Sequence, residues 1–135
     1  MTLELSITHR FGNFSLRVDI QATDGITALF GRSGAGKTTV AQAVSGLLTP
    51  QQGRIALAGS VLFDHRRGIN IAPHKRRIGY VFQDGRLFPH MSVASNLRFG
   101  MRFAAAPLTE TNQQRIIDML GLGELLTRRP RTLSG

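Results

Sequence analysis

The run Gly31-Arg32-Ser33-Gly34-Ala35-Gly36-Lys37-Thr38 fits the pattern G-x-x-x-x-G-K-[ST]. Glycines at this spacing let successive main-chain N–H groups curl around an anion where a Cβ would clash. A helix opening near Gly36 then turns the positive end of its dipole on the same anion. Lys37 adds a mobile charge for β- and γ-phosphates, the Thr38 hydroxyl is placed to ligate Mg²⁺, and Thr39 can donate to the next phosphate inward. Arg32, Ser33 and Ala35 supply the intervening amides of the bend. This is the chemistry of holding a nucleoside triphosphate.

Such a bend works between a strand end and a helix start, and both flanks are legible. Residues 26–30, Ile-Thr-Ala-Leu-Phe, read as a buried parallel strand, and residues 40–48 continue with helical spacing. An accidental glycine-rich turn would explain neither. Before the loop, residues 3–8 and 13–20 alternate apolar and polar side chains around Gly12-Asn13, which predicts an antiparallel pair. After it, residues 54–58 and 61–63 flank Gly59-Ser60, a hairpin signal, and the polar, basic stretch 64–77 reads as a surface loop. Residues 78–82, Ile-Gly-Tyr-Val-Phe, form a second short apolar run ending at Gln83-Asp84-Gly85. Ligands of open α/β sheets gather at such carboxyl ends.

Past Gln83 the texture is helical. Ser92 is the expected N-cap for residues 93–99. Pro107-Leu108-Thr109 opens a segment in which Ile116, Ile117 and Leu120 form one apolar face, stopped by Gly121. A short helix is expected at 124–127. The organisation predicted is α/β: a nucleotide-binding core over 1–83 with a small antiparallel β portion, then a helical subdomain over 84–135.

Composition narrows the field. There is no run of about 18 apolar residues to cross a membrane and no basic-then-apolar leader at the N-terminus, so a cytoplasmic chain is expected. With no cysteine, disulfides and thiolate chemistry are excluded. Four scattered histidines, His9, His65, His74 and His90, share no metal-ligand spacing. The net charge of +9, from 17 Lys and Arg against 8 Asp and Glu, raises nucleic-acid binding as an alternative. Its basic clusters at 65–67, 74–77 and 128–131 lack interleaved aromatic residues for base stacking, so a solvated basic face is favoured and no nucleic-acid partner is expected.

Three further features select among P-loop proteins: Gln83 directly after an apolar strand, then Leu87-Phe88-Pro89-His90-Met91-Ser92-Val93 with Asn96-Leu97, and Leu133-Ser134-Gly135 at the end. Together these resemble the ATP-binding subunits of ABC transporters. The stretches 31–39, 53–55, 73–84 and 86–90 resemble most the molybdate-importing branch of that family. The resemblance implies that Phe11 stacks on adenine and that Gln83 contacts Mg²⁺ and the attacking water. It also implies that Ser134 and Gly135 open a signature motif facing the γ-phosphate held by a second copy in a head-to-tail dimer. Segment 84–132 would receive the membrane permease near Leu87-Phe88-Pro89-His90, on the inner face of the membrane.

Hydrolysis in that family needs an Asp for Mg²⁺ and an adjacent Glu as general base after an apolar strand. No apolar run ending in Asp-Glu occurs in the 135 residues. Asp64, Asp84 and Glu124 stand in other contexts: a surface loop, the glutamine loop and a short helix. The sequence is therefore expected to be the N-terminal portion of a longer ATPase, cut before the aspartate-bearing strand and inactive in hydrolysis alone.

Overall fold

Alternation of apolar and polar side chains from Leu3 onward builds a sheet with one wet and one dry face. In a computed structural model of the chain, which describes every residue except Met1, Ala105, Pro107, Ser134 and Gly135, β1 (Leu3–Phe11) pairs antiparallel with β2 (Phe14–Ala22). β1 also pairs with β3 (Gln52–Leu57), which pairs with β4 (Ser60–Asp64), which pairs with the short β5 (Ile69–Asn70). The order is β2-β1-β3-β4-β5, antiparallel throughout. The β3–β4 turn falls one residue earlier than expected. Ala58 and Gly59 form it with φ of 48° and 79°, the two positive values a tight hairpin of this hand requires.

On the dry face Leu5, Ile7, Leu16, Ile55, Leu62 and Phe63 pack with Val40 and Ala43 of helix α1 (Lys37–Ser45). Each of the larger side chains contributes about 1.5–3 kcal/mol by leaving water. The wet face carries Ser6, Thr8, Arg17, Asp19 and Arg54, where the 3.0 Å Arg54–Glu4 pair is half exposed and worth little.

The carbonyl end of α1 is held by a guanidinium. Arg76, 4% exposed, donates from Nη1 to Ala43 O (2.8 Å) and Val44 O (2.9 Å). It also donates from Nε to Ile71 O (2.7 Å) and from Nη2 to Asn70 Oδ1 (2.9 Å). A cation suits the negative end of the helix dipole, and burial pushes its pKa below the ordinary value. Gly46 must be glycine beside it: its φ is 82°, and a Cβ would lie 2.7 Å from Arg76 Nε. The stretch 64–77 is largely exposed, as a surface loop would be, but not throughout. It contains the buried Asp64 at the end of β4, with Oδ1 accepting from Arg67 N (3.0 Å), then β5, a 3₁₀ turn at Pro73–Lys75, and Arg76. Of the basic residues in this stretch Arg76 alone is buried, its donors taken by three backbone carbonyls and Asn70 Oδ1, while its basic neighbours are exposed.

A correction concerns the two parallel strands expected at 26–30 and 78–82, which do not form. Phe30 is 94% exposed and Val81 95%. Parallel strands need neighbours on their edges and cover on both faces. Among the described residues no strand pairs with either run.

The chain divides into two compact units, Met1–Val81 and Phe82–Gly135. In the second, α2 (Val93–Phe99) starts at Ser92, whose Oγ accepts from Ser95 N (3.2 Å), and continues into a 3₁₀ turn at Gly100–Phe103. α3 (Glu110–Met119) starts at Thr109, whose Oγ1 accepts from Asn112 N (3.3 Å), and the chain leaves it at Gly121 with φ 63°. Its apolar face is narrower than expected: Ile117 is buried while Ile116 and Leu120 are exposed, because the chain turns off at Gly121 without folding back over them. The short helix expected at 124–127 is a 3₁₀ turn at Gly123–Leu125. Val93 N and Ala94 N donate to Arg128 O and Leu126 O, both 2.9 Å, tying the start of α2 to the segment after α3.

Two substitutions check this arrangement by urea unfolding of the 135-residue chain. Arg76→Met should cost about 2–4 kcal/mol, because several charge-assisted bonds are lost together; a neutral result would contradict the buried cap. Phe30→Ala should cost under about 0.5 kcal/mol. A loss of about 3 kcal/mol, the usual size for a buried ring, would instead restore the strand expected from sequence.

Candidate functional site

The loop 31–36 takes its shape from the helix it opens and the strand beneath it. Gly36, the residue before α1, has φ 94° and ψ 11°, and a Cβ there would lie 2.7 Å from Leu16 Cδ1. Glycine is required twice over, by the sign of φ and by the leucine of β2 beneath it. Gly34 has φ 80°. Ala35 N donates to Arg32 O (3.2 Å), and a Cβ on Gly31 would lie 3.3 Å from Ala35 Cβ, so the loop closes on itself within four positions. The first intrahelical bond runs from Val40 N to Gly36 O (3.0 Å). No side chain caps the helix start and no acidic residue sits in its first turn, so its leading amides keep their positive potential.

Lys37 turns back across this loop, with Nζ donating to Gly31 O (2.7 Å) and Arg32 O (2.8 Å). An ammonium has three N–H donors. Two brace the loop and the third can be given to an anion. Thr38 and Ser33 are exposed and Thr39 is partly buried. Amides, one ammonium and hydroxyls therefore gather at one helix start, a set that fits phosphate oxygens. A hydroxyl such as that of Thr38 also suits a hard divalent cation. Among the described residues no cluster of His, Asp or Glu side chains could hold a metal ion by itself.

Phe11 lies at the end of the β1–β2 hairpin, exposed, opposite Phe14, with its ring edge-on to His9 at 4.4 Å. The backbone of this end is tied by Arg10 N donating to Gln51 Oε1 (3.0 Å). Leu16, which packs beneath Gly36, pairs with His9, and Phe11 is two residues further along β1, about 7 Å on. Phe11 and Phe14 thus stand exposed together at the hairpin end.

Gln83 belongs to the second unit, exposed at a bend directly after Phe82. The guanidinium of Arg86 stands over the Phe82 ring, 4.3 Å from its centroid, straddling that bend. Ser134 and Gly135, expected to open a signature motif, lie outside the described residues. Leu16 and Arg76, which fix the two ends of α1, were not singled out by sequence. Leu16 looks like any alternating strand residue, and Arg76 is indistinguishable from its neighbours in a basic run.

A family model described as ABC transporter matches residues 15–135. The molybdenum import ATP-binding protein ModC of Mesorhizobium japonicum is 49% identical over 135 residues, all of this chain and 36% of its own length. ModC of Brucella abortus is 50% identical over 133 residues, 98% of this chain and 37% of its own. A solved structure described as the ATP-binding subunit of an ABC transporter superposes with a TM-score of 0.75 at 21% identity, over 98% of this chain and 55% of that one. A dimeric post-hydrolysis state of an ATP-binding cassette bound to ADP and Pi gives 0.70 at 19% identity, over 99% of this chain and 63% of that one. These structures bear on the fold, an α/β ATP-binding cassette. The chain spans about a third of the length of these two curated relatives. With the family model matched from Ser15 to the last residue and whole-chain identity near one half, the chain belongs to the ABC transporter family and resembles its molybdenum-import ATP-binding members.

Proposed function

We propose that this chain is the nucleotide-holding part of an ATP-driven importer of an oxyanion, molybdate, and that residues 31–39 grip the triphosphate. The observation that carries the reading is the uncapped start of α1 with Lys37 Nζ folded over the loop on Gly31 O and Arg32 O. Amides of residues 34–39 donate to phosphate oxygens, and the third Lys37 donor neutralises the β–γ region. Bound Mg²⁺ supplies further charge neutralisation there, with the Thr38 hydroxyl and Gln83 as the ligands this chain offers. Phe11 at the hairpin end stacks on adenine, which fits its exposure.

By the same reading, the importer works as a pair of such cassettes with Ser134 and Gly135 facing the partner's nucleotide. The permease docks on the second unit around Leu87-Phe88-Pro89-His90, and the assembly sits on the inner face of the membrane. ATP drives the cycle through its preference for the closed pair over the open one. The ModC relatives support the oxyanion, and the dimeric neighbour supports the pairing. For the 135 residues alone we propose nucleotide binding without turnover, since no Asp-Glu pair ends an apolar run in them.

Calorimetric titration of Mg-ATP tests the grip. Lys37→Ala should weaken binding by about 2–3 kcal/mol, roughly thirtyfold to 150-fold, and equal affinities would remove the site. Mg-ATP at about one hundred times its Kd should raise the unfolding free energy by about 2.7 kcal/mol in the parent chain. An unchanged melt at that concentration would count against nucleotide binding.

A further inference from the structure

In the second unit a single side chain fixes the main chain of a whole turn. Asn96 of α2 accepts at Oδ1 from Phe88 N (2.8 Å) and donates from Nδ2 to Phe88 O (3.2 Å). The same Nδ2 reaches Ser92 O (3.0 Å) and, more weakly, Met91 O (3.4 Å). Phe88 N–H takes the amide oxygen as its acceptor, and Nδ2 then faces the carbonyls of Phe88, Met91 and Ser92, of which Phe88 O and Ser92 O also accept from Met91 N (3.1 Å) and Asn96 N (2.9 Å), so one orientation of the amide fits. The side chain must be both acceptor and donor at this reach. Aspartate keeps the acceptor but sets a negative charge against the carbonyls, and glutamine is a methylene too long.

The turn so fixed presents apolar surface. Leu87 is 47% exposed and Phe88 38%. The Phe88 ring leans on Phe99 of α2 at 4.5 Å and lies 6.0 Å from His90, and Phe99 lies 5.8 Å from Phe103. Packing of its ring on Phe99 and the Asn96 amide on its backbone fix Phe88 in a partly exposed position, with Leu87 exposed beside it. Ordering free side chains on binding costs affinity, so a turn already ordered binds more tightly.

We infer that Asn96 is the positioning residue of the partner-docking turn 87–92, an inference that rests on the permease docking proposed above. It touches neither nucleotide nor partner and acts through the Phe88 peptide.

The test is made on the complete subunit assembled with its permease in proteoliposomes, comparing molybdate-stimulated ATP hydrolysis with basal hydrolysis of the detached subunit. Asn96→Ala should lower the stimulated rate about tenfold, the equivalent of losing the pre-ordering of two side chains, and leave the basal rate within about twofold. Asn96→Asp should recover part of the stimulation. In the 135-residue chain, hydrogen exchange at the Phe88 amide should speed up about tenfold in Asn96→Ala. Full stimulation in Asn96→Ala while Phe88→Ser loses it would overturn the role of Asn96 and spare the docking surface. Parallel loss of basal and stimulated rates would mark a merely structural residue and also overturn it. If Phe88→Ser is itself without effect, the docking reading falls and this inference with it.

Discussion

Helix α1 is short, nine residues, and is held in place from outside at both ends. At its start Leu16 of β2 lies where a side chain on Gly36 would go, and at its end the Arg76 guanidinium takes up the carbonyls of Ala43 and Val44. A helix of this length is marginal without tertiary support. Pinned between the sheet and Arg76, it becomes a fixed dipole whose amide end opens into the loop 31–36. Lys37 completes the arrangement by bracing that loop's carbonyls.

The antiparallel sheet serves this helix in two ways. Its dry face buries Val40 and Ala43, and its β1–β2 hairpin carries Leu16 and, two residues along the paired strand, Phe11. One register thus sets both the leucine that packs against Gly36 and the position of the aromatic pair at the hairpin end. Gly53 supports the same register: with φ 114° and no room for a Cβ against Ser6 O, it lets β3 lie close to β1.

Much of this was legible in the residues. The Gly-Lys-Thr spacing located the loop, alternation located β1 and β2, a hairpin signal located β3 and β4, and Ser92 located the cap of α2, because each signal is local and each feature depends on near neighbours. What was not legible depends on distant or absent neighbours. Residues 26–30 and 78–82 have the composition of buried strands, yet a strand exists only within a sheet, and among the described residues neither run joins one. Arg76 was hidden in a basic run because its burial is decided by carbonyls more than thirty positions away. Asn96 was noted only as part of a resemblance, and its bonds to Phe88, Met91 and Ser92 needed coordinates.

The most direct measurement of where the triphosphate is held is a map of backbone amide shifts as Mg-ATP is added to the 135-residue chain. Saturable shifts should concentrate on Gly34, Ala35, Gly36, Lys37, Thr38 and Thr39, the amides at the start of α1, with smaller ones at the hairpin end around Phe11. Shifts confined to the basic segments 65–67 and 128–131, with residues 34–39 unmoved, would contradict the site.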